Sequence, residues 1–153
     1  MNDPGIFDEP SISRQWVLRR LQQVLTTDLA AAAFERGLGR SCSRPNSDLL
    51  VELAAAAAHR AEIVRALILG EGGTPYQSIG FARAASYFGG LVLGPFSLVW
   101  RPGVRMLAEH TMQEYDTLVA HLRTAPGVSP DLAPQAEPLF ASAERGHEVL
   151  RAR

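Results

Sequence analysis

Val17, Leu21, Val24, Asp28 and Ala31 recur in steps of four and three residues, the period of one face of an α-helix. A chain built around such a stripe is built from helices, and this stripe carries a carboxylate. An Asp at a core-facing position needs a partner, because a charge taken out of water and left alone is costly. The plain partner is a Ser, Thr or Arg nearby. The alternative is a metal ion.

Similar stripes recur three more times. A second helix is predicted over about 48–69, with Leu49, Leu53, Ala56, His59, Ile63 and Leu67 inward. A third spans about 102–123, with Leu107, Thr111, Glu114, Leu118 and Leu122 inward and Glu109 on the flank. A fourth is confined by Pro134 and Pro138 to about 138–152, with Leu139, Phe140, Ala143, His147 and Leu150 inward and Glu144 adjoining. The first helix runs from a cap at Ser11 or Ser13 to about Leu38. Glycines 37 and 39, Pro45 and a cap at Asn46 or Ser47 make the turn into the second. Gly70-Glu-Gly-Gly73 ends the second helix, and Thr74-Pro75-Tyr76-Gln77 starts a short extra helix over about 75–88.

Length and composition set limits. With 153 residues the chain makes one domain, a flexible arm over 1–11 followed by a helical domain over 12–153. A formal net charge of −1 offers no field for gathering nucleic acid. The single cysteine, Cys42, excludes an intrachain disulfide and a Cys-based zinc site. The first ten residues are acidic and broken by Pro and Gly, unlike a signal peptide, so a cytoplasmic address is expected. Residues 86–100 carry no charge, but they fall short of the roughly 20 apolar residues of a membrane span and are interrupted by Gly89-Gly90 and Gly94-Pro95. They are expected to cover their own bundle, to pair two copies as a homodimer, or to touch a membrane surface peripherally.

Glu144 and His147 stand one helical turn apart, which places a carboxylate and an imidazole on one face. A Glu-x-x-His pair on the last of four helices, with acidic or imidazole side chains on the other three, resembles the ferritin-like superfamily, and most closely the demethoxyubiquinone hydroxylase family of di-iron proteins. The resemblance covers nearly the whole chain. It implies an all-α, antiparallel four-helix bundle, with the short helix and the apolar segment between helices two and three. Carried over residue by residue, it places Asp28 at the helix-one ligand, Ala56 and His59 at the first Glu-x-x-His pair, Glu109 at helix three, and Glu144 with His147 at the second pair. Helical phase alone favours Glu114 over Glu109, while spacing within the resemblance favours Glu109. Tyr115 matches a family position six residues after the helix-three Glu. Ala56 departs from the pattern, since a metal-bridging Glu is expected there.

Two readings of function follow. In the first, iron, as a di-iron or mononuclear centre on Asp28, His59, Glu109, Glu144 and His147, supports an oxidoreductase or hydroxylase acting on a small apolar or quinone-like substrate at a membrane surface. In the second, the bundle has lost its metal and serves as a structural or interaction subunit through 86–100. The first requires the five side chains to meet in one cavity at mid-bundle.

Overall fold

A computed structural model describes residues 9–76 and 80–152, and over these residues the chain is all-helical. Five helices follow in order: α1 Glu9–Ser41, α2 Arg44–Gly70, α3 Gly80–Leu93, α4 Ser97–Leu122 and α5 Leu132–Arg151. α1 packs on α2, α2 on α5, α5 on α4 and α4 on α1, which closes a ring of four helices. α3 lies along α1 and touches α4. No helix among the described residues is long and apolar enough to cross a membrane.

The stripe expected on α1 is buried along its whole length, from Val17 through Asp28 to Ala31. It faces two cores. The larger gathers Leu21, Leu25, Val64, Ile68, Leu118 and Leu139, and the smaller gathers Leu38, Leu50, Trp100, Val104 and Leu150. Between them along α1 and α2 sits a narrow layer of Ala31, Ala32 and Ala57. Buried Gln22 ties the α2–α3 connection to α1, donating from Nε2 to the Thr74 carbonyl at 2.6 Å and accepting from the Tyr76 N–H at 3.1 Å.

The helices run further than their stop signals predict. α1 begins at Glu9 and continues through Ser11 and Ser13, so neither caps it; residues 1–8 of the expected arm lie outside the described residues. It also continues through Gly37 and Gly39, and α2 begins at Arg44, ahead of Asn46 and Ser47. Pro75 and Tyr76 are not helical, Gln77 and the rest of 77–79 lie outside the described residues, and the described short helix is α3, Gly80–Leu93, which passes through Gly89-Gly90. Pro134 sits in the first turn of α5, where N–H groups lack helical partners anyway. Pro102 and Pro138 lie deeper, both on exposed positions where an orphaned carbonyl can meet water.

The glycines expected to break helices let helices touch. A Cβ at Gly37 would run into the Tyr87 carbonyl and the Leu91 N–H, and one at Gly90 into the Phe34 carbonyl. α1 and α3 thus meet backbone to backbone. Gly90→Ala is expected to lower stability by about 1–3 kcal/mol through this clash. Gly89→Ala, whose Cβ meets nothing within 4 Å, should hold or raise stability. Urea midpoints of the two variants measure the difference.

Candidate functional site

Asp28 is fully buried, and its partner is Arg60 of α2. The guanidinium donates from Nη2 to Oδ1 at 2.6 Å, and from Nε to Oδ1 and Oδ2 at 3.1 and 3.3 Å. Tyr115 of α4 donates its hydroxyl to Oδ2 at 2.5 Å, and Arg60 Nη1 donates to Ser142 Oγ of α5 at 3.4 Å. One polar group from each helix of the ring therefore meets at this point. Burial pushes the Asp28 carboxyl up, against the pull of Arg60 and the Tyr115 hydroxyl, and burial beside Asp28 raises the Tyr115 phenol so that it stays a donor.

The other four expected ligands do not join Asp28. His59 is exposed, because the buried face of α2 is Leu50, Ala54, Ala57, Ala61, Val64 and Ile68, turned about one residue from the expected stripe. Arg60 takes the inward place. Glu109 is exposed and borders an open surface depression with half-buried His147, beside Arg105 and Arg151. Glu144 is exposed, since α5 turns Leu139, Ala143 and Leu150 inward. Glu114 has the better buried side chain, as helical phase indicates, but it accepts from Gln23 Nε2 at 2.6 Å and from Thr27 Oγ1 at 3.4 Å. Among the described residues no three His, Cys, Asp or Glu side chains are grouped to hold a metal ion. The set Asp28, His59, Glu109, Glu144 and His147 does not fit a di-iron or mononuclear iron centre as placed: its most buried member is matched to a fixed cation and three of the others, His59, Glu109 and Glu144, are exposed.

Beside the Asp28–Arg60 pair the four ring helices line a half-open cavity of about 220 Å³, and Ala56 lines it where the resemblance expects a carboxylate. Glu35 of α1 also lines it. Its Oε2 is buried without a hydrogen-bond partner among the described residues. Burial raises the Glu35 carboxyl to about 8, with Arg60 opposing and Asp28 adding to the rise.

A second feature lies outside the ring. Phe88, Leu91, Val92, Phe96, Leu98, Val99 and Met106 expose apolar surface on α3 and the start of α4, with Leu98 at 91%. Trp100 alone of the large side chains at 96–100 turns inward, donating from Nε1 to the Gly94 carbonyl at 3.0 Å.

Comparison with protein-family models, curated proteins and solved structures returns no match for this chain.

Two predictions concern the buried charges. Asp28→Ala strands the Arg60 cation and is expected to cost about 3–5 kcal/mol, whereas Asp28→Leu with Arg60→Met removes both charges and should cost far less. Urea unfolding of the single and double variants gives the comparison. Between about pH 4.5 and pH 8 the folded chain holds a proton on Glu35 that the unfolded chain releases. That contribution is complete below the lower value and is lost as pH rises, by up to about 1.4 kcal/mol per unit. Glu35→Gln should remove this part of the slope in a pH series of unfolding curves.

Proposed function

We propose that this chain is a metal-free, ferritin-like antiparallel four-helix bundle that works as a docking subunit, and that its target is an anionic membrane surface. The fold part of this reading is supported by the ring of helix contacts and by the single long crossing from α2 to α4, a connectivity that ferritin-like bundles use. Cores met in opposite order along successive ring helices support the antiparallel arrangement. The resemblance to the demethoxyubiquinone hydroxylase family then describes ancestry of shape, with the metal positions given over to an ion pair.

The observation that carries the docking reading is the apolar ridge of α3 and α4. Phe88, Val92, Phe96, Leu98, Val99 and Met106 each leave more than half of their surface exposed. A patch of this kind on a monomer marks a contact surface. Its charge selects the partner. From residue 72 to residue 108 the sequence contains no Asp or Glu, while Arg83, Arg101 and Arg105 are exposed there and Arg40 donates to Tyr87 beside Phe88. Exposed apolar side chains interleaved in sequence with arginines suit acyl chains bordered by phosphate headgroups. Two copies meeting ridge to ridge would instead bring like charges together.

Cosedimentation with vesicles tests the reading. The chain is expected to bind phosphatidylglycerol-rich vesicles and to leave pure phosphatidylcholine vesicles largely free. Leu98→Glu with Phe96→Glu should abolish binding without lowering the melting midpoint, since both side chains are exposed. Arg101→Gln with Arg105→Gln should weaken it by about 1 kcal/mol for each arginine. A chain that ignores both vesicles, or that sediments as a dimer dissolved by Leu98→Glu, overturns the membrane assignment.

A further inference from the structure

The cavity between α1, α2, α4 and α5 has the makings of a binding site independent of the ridge. Its volume of about 220 Å³ lies below the roughly 300 Å³ at which drug-sized ligands begin, so its occupant is small. Much of the wall is apolar, with Ala31, Leu53, Leu107 and Val149 around Ala56. The polar groups are Glu35, Thr111 and Ser142 inside, with exposed Glu52 and Arg145 also in the lining.

The hydrogen-bonding capacity of these groups selects the ligand. Arg60 lines the cavity, but Asp28 occupies its Nε and Nη2. Thr111 spends its hydroxyl proton on the Leu107 carbonyl at 2.8 Å, which leaves oxygen lone pairs free. Ser142 Oγ already accepts from Arg60 at 3.4 Å and has a lone pair left. Glu35 Oε2 lacks a partner altogether among the described residues. The interior is therefore rich in acceptors and poor in free cations. An anionic ligand would find Arg60 already neutralised inside, while the exposed lining carries one charge of each sign, Glu52 and Arg145.

We propose that this cavity binds a small organic amine, with its ammonium group on the Glu35 carboxylate and its short apolar body against Leu53, Leu107 and Val149. An ammonium group meets the Glu35 carboxylate from the cavity side and brings a counter-charge into a site where ionised Glu35 has none to itself. Ala56 leaves the space that the body of the amine fills. Binding and protonation are linked, because Glu35 gives up its proton to take the cation. The charged groups that share its surroundings are Asp28 from α1, Glu52 and Arg60 from α2, and Arg145 from α5; α4 contributes no charge to the lining.

Calorimetry and thermal melting of the full chain with n-butylammonium, butyrate and n-butanol test the assignment. Butylammonium is expected to bind and raise the melting midpoint, while butyrate and butanol at the same concentration do neither. At pH 7 the heat of binding should change with the ionisation enthalpy of the buffer, reporting release of close to one proton. Glu35→Gln should weaken binding by about tenfold or more and remove the buffer dependence. Ala56→Leu should block binding by filling the cavity while holding or raising the unliganded midpoint. Absence of butylammonium binding, equal binding of butyrate or butanol, or unchanged binding in Glu35→Gln overturns the proposal.

Discussion

The contact between Asp28 and Arg60 governs the arrangement of this molecule. Both groups are nearly removed from water, and each alone would be intolerable there. Because the carboxylate also takes the Tyr115 hydroxyl and the guanidinium reaches Ser142, the pair fixes the rotation of all four ring helices about their axes. An apolar core of alanines and leucines accepts several rotational settings at similar energy. A fork of directed hydrogen bonds accepts one.

That constraint explains what the sequence revealed and what it hid. The stripe on α1 was legible because valines and leucines alternate with polar residues, and it placed Asp28 correctly at the core. Continued by four more residues it also reaches Glu35, so the second buried carboxyl was within the same pattern. α2 was not legible in phase. Residues 54–58 are all alanine, which suits an inward or an outward face equally, and a turn of about one residue exchanges His59 for Arg60. The plain expectation for Asp28 is a bond to a nearby Ser, Thr or Arg, and the structure supplies an Arg. The metal set depended on His59 facing inward, and the phase of α2 removes it.

The glycines and prolines misled for a different reason. Local rules treat Gly37, Gly89 and Gly90 as helix ends, because glycine weakens an isolated helix by up to about 1 kcal/mol. At Gly37 and Gly90 the absent side chains admit a neighbouring backbone, and the gain lies in a contact between elements separated by some fifty residues. No local signal distinguishes a glycine that stops a helix from one that admits another. Residues 86–100 divide by the same logic: Gly90, Leu93 and Trp100 turn toward the protein, while Leu91, Val92, Phe96, Leu98 and Val99 turn away.

The alanine layer of Ala31, Ala32 and Ala57 separates one large core from one small one, and the chain's two tryptophans fall on opposite sides of it. Trp16 packs at the edge of the large core, tilted against His121 with ring centroids 3.8 Å apart, and Trp100 is enclosed in the small one. Each half of the molecule thus carries its own fluorophore, one beside a quenching imidazole and one in an apolar shell. Replacing either indole with phenylalanine leaves a single-colour view of the other half, so loosening at the ridge end and loosening at the loop end are separable by light alone.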